Sequence, residues 1–314
     1  MIDRRHCMFG AAAAGGALIA GASGAAPRMA AKPFFARHML PLGLQLYSLA
    51  PDLDADFDGT LAKLHAIGIR SVETAGFHGR SPAQLRASFD RAGLRCTSAH
   101  IQARANGNGP SLDGDFDALA RDLHVVGITN VVMPSPPLPN RPKSSEGFAA
   151  AITKLTQDDW HRVADLLNTA GKALRQRGLA VSYHNHNPEF APHDWGTAFD
   201  LLMRETDPSS VSFEMDAGWV AAAGIDPIAL LRAHPHRFTQ MHVKDIKAST
   251  VTNYVVEQDP TEVGSGKMDW HAILPAAYAD GVRGFFIEQE PPFAGPRIDA
   301  IAKSATYLLA LKTA

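Results

Sequence analysis

The chain is poor in cysteine: Cys7 and Cys96 are its only two among 314 residues. That excludes a disulfide scaffold, and Cys96 reads as a small buried apolar residue standing alone. A cationic surplus is also lacking. Thirty Lys and Arg face 32 Asp and Glu, a formal net charge of -2. A nucleic-acid groove draws its affinity from counterion release and needs that surplus, so no nucleic-acid partner is expected. The apolar stretch from Phe9 to Ala22 is about 14 residues long and Gly-rich, too short to span a bilayer. A Gly-rich phosphate loop is missing where a doubly wound sheet would carry one. The turn after the first expected strand reads Ser48-Leu49-Ala50-Pro51-Asp52. What remains is ordinary globular composition, 46% hydrophobic and 20% charged.

The N-terminus reads as an address. Arg4-Arg5 precedes the mild Ala/Gly core, and small residues around Ala25-Ala26 offer a cleavage site. This resembles a twin-arginine export signal over residues 1–31, with Asp3 where Ser or Thr is usual. The expectation is a periplasmic or secreted mature chain, free of the membrane once cleaved.

From Pro41 onward short apolar runs alternate with longer amphipathic stretches. Runs of 4–8 residues bounded by Gly, Pro or polar turns read as strands. They are Leu42–Ser48, Ile69–Ala75, Leu94–Ile101, Ile128–Met133, Leu179–His186, Val211–Asp216, Phe238–Lys244 and Arg283–Glu288. Helices are expected between them, for example Phe57–Ile67 with apolar residues at helical spacing. Gly68, Gly93, Gly127, Gly178 and Gly281 stand at helix-to-strand junctions. Eight strand–helix units without a break in composition predict a single-domain α/β fold over residues 40–314, a (β/α)8 TIM barrel.

A barrel carries its chemistry at the C-terminal strand ends, and here those ends are polar. They offer Gln45 and Tyr47, Glu73, His100, His184 and His186, Glu214 and Asp216, His242 and Lys244, Glu288 and Glu290. Alternation places each of the last four pairs on one side of its strand. Unpaired charges inside a barrel are costly, and a divalent cation resolves a cluster of imidazoles and carboxylates. Mixed His and carboxylate ligands suit Mn, Zn, Co or Fe better than Ca. Plainer roles stand beside this one. His100 is equally a hydrogen-bonded core residue. Glu73 pairs with Arg70 or Lys63 at the rim, Glu214 pairs with Lys244, or Asp216 caps a following helix. Tyr47 and Trp219 read as pocket wall, suited to the apolar side of a sugar ring. Gly264-Ser265-Gly266 is a loop hinge or a phosphate cradle.

Several segments together carry a resemblance: GLQLYS at 43–48, SAHI at 98–101, YHNHNPEF at 183–190, FEMDAGWV at 213–220, HVKD at 242–245, VGSGKMDW at 263–270 and IEQE at 287–290. In this order they resemble the xylose isomerase-like barrel superfamily, in its sugar phosphate isomerase/epimerase branch. The resemblance implies one divalent metal (Mn, Zn or Co) held by His184, Asp216, His242 and Glu288. Many relatives carry Glu at the fifth-strand position, where this chain has His184, and His where it has Trp219.

What the resemblance implies for chemistry is proton abstraction beside a carbonyl on a small carbohydrate. Glu288 is the expected ligand and base, His186 the second acid/base, and Lys244 a catalytic contact to substrate oxygen. His100, Tyr47, Trp219, Glu214 and Glu290 are expected at the substrate, with Arg104 and Asn106 at the rim. The first expectation is a sugar isomerase or epimerase. A dehydratase or lyase acting on keto-sugars or keto-glycosides by β-elimination is the alternative, and a secreted sugar-binding barrel without catalysis is the reading from another class. An oligomer is compatible with all three.

Overall fold

The apolar runs pair side by side, as their alternation and length require. In the computed structural model, which describes residues 32–105, 109–138 and 145–313, eight parallel strands close into a barrel. They are β1 (Gly43–Gln45), β2 (Ser71–Ala75), β3 (Arg95–His100), β4 (Asn130–Met133), β5 (Ala180–His184), β6 (Val211–Asp216), β7 (Phe238–Val243) and β8 (Gly284–Ile287). Neighbours in sequence are neighbours in the sheet, and β8 returns to β1 through Gly43 opposite Phe286. The expected (β/α)8 fold is thus present. The leader expected over residues 1–31 lies outside the described residues.

The helices that cover the strands start and stop where the sequence signals. Ser81 closes a capping box with Gln84 at the start of Pro82–Ala92. Gly127, at φ 99°, takes the left-handed conformation that ends Phe116–Val126 and turns the chain into β4. Among the described residues no helix is long and apolar enough to cross a membrane.

Several boundaries differ from expectation. The first strand pairs only through Gln45, because the Gln45 side chain accepts from Tyr47 N–H at 3.0 Å and turns the chain into a 3-10 helix, Leu46–Leu49. β5 ends at His184 and not at His186. β7 and β8 each stop one residue early. A short helix, Ala217–Ala222, begins directly on Asp216. The compact unit also starts upstream of residue 40, at Lys32. There the helix Phe34–His38 packs Phe34 and Phe35 edge-on against Phe285 of β8.

Two register shifts prove important for the site. Pairing of β2 with β3 skips Thr97 beside Glu73, and pairing of β6 with β7 skips Thr239 beside Glu214. Such bulges add a residue to one strand and re-aim its side chains. The one on β3 interrupts the simple alternation that a regular strand would give from Cys96 to His100. Cys96 joins the apolar core as a free thiol, and burial pushes its pKa up.

The segment after β7 leaves the barrel as a strap. Asp245–Ile246 pairs antiparallel with Pro260–Thr261. Between them Asn253 receives the Asn187 side-chain amide at 2.7 Å, and Gln258 donates to Glu290. The strap thereby ties the end of β5 to the end of β8.

Candidate active site and cation centre

The C-terminal mouth gathers charge that the barrel has fully enclosed. Glu73, Glu214, Asp216, His242 and Lys244 are 0% exposed, His184 2% and Glu288 6%. Removing charges from water costs several kcal/mol per ion unless they are paired. The side chains meet that cost in two layers.

In the upper layer Asp216 Oδ2 lies 3.8 Å from His184 Nε2 and 3.8 Å from His242 Nδ1. Glu288 Oε2 lies 3.0 Å from His242 Nδ1. Donor atoms of these four residues all fall within 4.8 Å of one another. Ligands about 2.1 Å from a common ion in tetrahedral array stand roughly 3.4 Å apart, and the observed gaps straddle that value. Asp216 Oδ2 is buried with no hydrogen bond; the Lys244 ammonium lies 2.8 Å away as an ion pair only. Two imidazoles and two carboxylates fit a first-row divalent cation. Asp216 Oδ1 serves elsewhere, accepting from Trp219 N–H at 2.9 Å as the cap of the next helix.

The lower layer contains a second group of ligand types: His100, His184, Glu214 and His242. Its contacts are tighter. Glu214 Oε2 is 3.0 Å from His100 Nε2, 3.1 Å from His184 Nδ1 and 3.2 Å from His242 Nε2. Glu73 Oε1 is 2.8 Å from His242 Nε2 and 3.0 Å from His100 Nε2. These are hydrogen-bond lengths, so this layer is held by shared protons. Glu73 is itself fixed by Gln45 Nε2 at 2.6 Å and Ser98 Oγ at 2.5 Å, and Ser98 by Gln240 at 2.8 Å.

The fields follow from the packing. Burial opposes charge on His100, but the Glu73 carboxylate and the hydrogen bonds His100 donates to both glutamates outweigh it and push its pKa up to about 9. Burial likewise opposes charge on His242, and Glu214 and Glu288 overcome it. Glu214 and Glu288 are driven well below the usual carboxylate range, against burial, by His242 and by Lys244 respectively. His186 goes the other way: burial, then His184 and Lys244, hold it neutral. Burial, with Glu288 and Asp216 nearby, raises Glu290 despite Lys244.

The wall above is mixed. Lys244 Nζ sits 2.8 Å from Asp216, 2.7 Å from Glu288 and 3.4 Å from Glu290, and 4.9 Å over the Trp219 ring. His186 packs against Trp219 and Phe148, each ring centroid 5.7 Å away, and its Nδ1 is buried with no partner. Tyr47 stands half-exposed at the end of β1.

The structure therefore brings His184, Asp216, His242 and Glu288 together and sets Lys244, His186, Trp219 and Glu290 around them. Some expectations need correction. Glu73 pairs with neither Arg70 nor Lys63; it is enclosed beneath His242, because the bulge at Thr97 keeps Ser98 beside it. Glu214 is not the partner of Lys244; three imidazoles occupy its carboxylate, one layer below the mouth. His100 shares that layer and keeps 9% exposure. Asp216 is a cap as well as a member of the cluster. Arg104 is exposed, and Asn106 lies outside the described residues. The Gly264–Gly266 loop offers no free amide cradle for a phosphate. Asp245 accepts from Gly264 and Gly266 N–H at 2.9 and 3.3 Å and from the Trp270 indole at 3.0 Å, so those amides are occupied.

Residues not singled out in the sequence complete the frame. Ser98 and Gln240 buttress Glu73. Asn185 clamps Asp216, accepting from its N–H at 3.1 Å. Ser48 accepts from Gln289 N–H at 3.0 Å across the barrel seam. Their signal was a polar residue at a buried strand position, which only partner strands can interpret.

Residues 61–311 match the xylose isomerase-like TIM barrel family. Among curated proteins, an inosose dehydratase of Geobacillus thermodenitrificans is 30% identical over 161 residues, 45% of this chain and 51% of the relative. The match thus spans about half the relative's length. An inosose dehydratase of Clostridium beijerinckii is 23% identical over 78% of this chain and 87% of its own. Among solved structures, a sugar phosphate isomerase/epimerase from Parabacteroides distasonis aligns with a TM-score of 0.66 at 26% identity, covering 86% of this chain and 94% of the other.

Proposed function

The chain belongs to the xylose isomerase-like TIM barrel family, and from that premise we propose a divalent-cation-dependent enzyme that removes the proton beside the carbonyl of a keto-sugar or related polyhydroxylated ketone. The observation that carries this is the convergence of His184, Asp216, His242 and Glu288 within 4.8 Å. A cation held by these four would polarise the carbonyl and stabilise negative charge on its oxygen.

The chain's own groups divide the proton work. His186 is neutral with a free, buried Nδ1, and we assign it to take the α-proton. Lys244 follows β7 and Glu290 lies beyond β8, while His186 follows β5. Lys244 donates to a substrate oxygen. Glu290, whose pKa is raised, gives a proton to a departing β-hydroxyl. Trp219, Phe148 and Tyr47 form the apolar wall.

This division favours dehydration. Epimerisation by two opposed carboxylates needs two free ones, and Asp216 and Glu288 both face the same ammonium, at 2.8 and 2.7 Å. One base and one distinct acid suit β-elimination, in keeping with the names of the curated relatives. Isomerisation is the second reading, and the similar solved structure from Parabacteroides distasonis, a sugar phosphate isomerase/epimerase, supports it. Free, unphosphorylated substrates fit the occupied Gly264–Gly266 amides, and they fit the periplasmic destination we propose for the leader.

The test is incubation with ketoses and an inosose in D2O with Mn2+, followed by mass spectrometry. A product lighter by one water supports the dehydratase, and a deuterated product of otherwise equal formula supports the isomerase. No exchange with any of them leaves the sugar-binding barrel.

A further inference from the structure

Beneath the proposed cation site lies a pair of fully buried carboxylates, Glu73 and Glu214. We infer that Glu73 and Glu214 are positioning residues that commit the two imidazoles above them to opposite nitrogens, His242 to Nδ1 and His184 to Nε2. This rests on the cation-dependent reading of the site.

An ionised carboxylate only accepts hydrogen bonds. Glu73 Oε1, 2.8 Å from His242 Nε2, therefore takes that N–H. Glu214 Oε2, 3.1 Å from His184 Nδ1, takes the N–H on the other nitrogen of the other ring. His242 Nδ1 and His184 Nε2 are left facing Asp216 Oδ2, each at 3.8 Å. An outer carboxylate fixes tautomer and ring orientation and raises ligand basicity.

Glu73 is held through both its oxygens, and Glu214 through Oε2, which three imidazoles share. Gln45 and Ser98 grip the two oxygens of Glu73, and Gln240 holds Ser98. His100 joins the pair, its Nε2 standing 3.0 Å from both. Each glutamate also sits where the sheet register shifts, Glu73 beside the extra Thr97 and Glu214 beside the extra Thr239. Those offsets bring Ser98 and Gln240 opposite the two glutamates, so the frame of the barrel is adjusted at these two positions.

The experiment compares the full chain with Glu73→Gln and Glu214→Gln. Both are isosteric, and both replace a fixed acceptor by an amide that can present either oxygen or NH2. Zn2+ affinity is read by chelator competition, and histidine tautomers by long-range 1H–15N correlation on metal-free protein. Each variant is expected to bind Zn2+ about 10–100-fold more weakly. His184 in the metal-free wild type is expected as the Nδ1–H tautomer, becoming a mixture in Glu214→Gln and staying unchanged in Glu73→Gln. Zn2+ affinities within about twofold of wild type and an unchanged His184 tautomer would overturn the inference. A wild type that binds no Zn2+, Mn2+ or Co2+ would instead sink the proposed function, and the metal-free His184 tautomer would still decide this point.

Discussion

Asp216 divides its carboxylate between two tasks: Oδ1 accepts the Trp219 backbone N–H at 2.9 Å, while Oδ2 turns into the cluster. One residue thus starts a helix and faces the proposed cation. The two roles separate by mutation. Asn caps helices as well as Asp does, so Asp216→Asn is expected to melt above Asp216→Ala, although both lose the ion pair to Lys244 at 2.8 Å. It loses the anionic ligand, and activity should fall by about two orders of magnitude or more. Asp216→Ala loses the cap as well, at about 1 kcal/mol. Activity near wild type in Asp216→Asn would remove Asp216 from the cation centre.

Lys244 is the single ammonium facing Asp216, Glu288 and Glu290 among the described residues. Lys244→Met strands those carboxylates, and breaking a buried pair costs about 3–5 kcal/mol. A divalent cation would supply the missing positive charge. Added Mn2+ is therefore expected to raise the melting temperature of Lys244→Met more than that of wild type. Equal shifts in differential scanning fluorimetry would show that Lys244 and the cation do not share a field.

Glu189 supplies a pH signature away from the cation centre. Burial pushes its pKa up to about 7, although the Tyr183 hydroxyl donates to Oε1 at 2.6 Å; Oε2 has no partner. The unfolded chain releases this proton near the ordinary glutamate value of about 4.3. Between that value and about 7 the folded state holds the extra proton, so stability falls as pH rises through the window. Glu189→Gln should flatten the fall. Denaturant midpoints of the two proteins, taken at about pH 4.5, 6 and 7.5, measure it, and parallel curves would show that Glu189 is ionised in the fold.

Gly266 tests the loop clamp. A Cβ there would meet Asp245 Oδ1 and Ile246 O, both far inside van der Waals contact. Gly266→Ala is expected to cost about 1–3 kcal/mol through overpacking, whereas Ser265→Ala next to it should be nearly neutral. Thermal unfolding of the two variants decides this, and equal midpoints would mean the loop yields.

The barrel was legible because each strand end and each helix stop carries a local signature, such as Gly127 or the Ser81 capping box. His184, Asp216, His242 and Glu288 were legible through the motif resemblance and through polar residues at inward strand positions. The depth of Glu73 and Glu214 was not. It depends on bulges at Thr97 and Thr239, which exist only relative to a paired strand and leave no mark in the residues themselves. The strap was hidden for the same reason: Asn187 and Asn253 meet across 66 residues. The helix beginning at Asp216 was half-visible through its capping residue, but Ala217–Ala222 stood outside the strands and helices read from the sequence.

The distances along the chain between partners have a consequence for biogenesis. His242 reaches Glu73 across 169 residues, and Gln289 meets Ser48 across 241. Contacts so far apart must overcome loop entropy before they stabilise anything. A nascent chain lacking β8 has no Glu288, and one that has not closed β8 onto β1 has no floor beneath its imidazoles. High-affinity cation uptake would then register completed folding: a half-built barrel exposes ligands but cannot hold the ion, and the loaded protein is by construction one whose first and last strands have met.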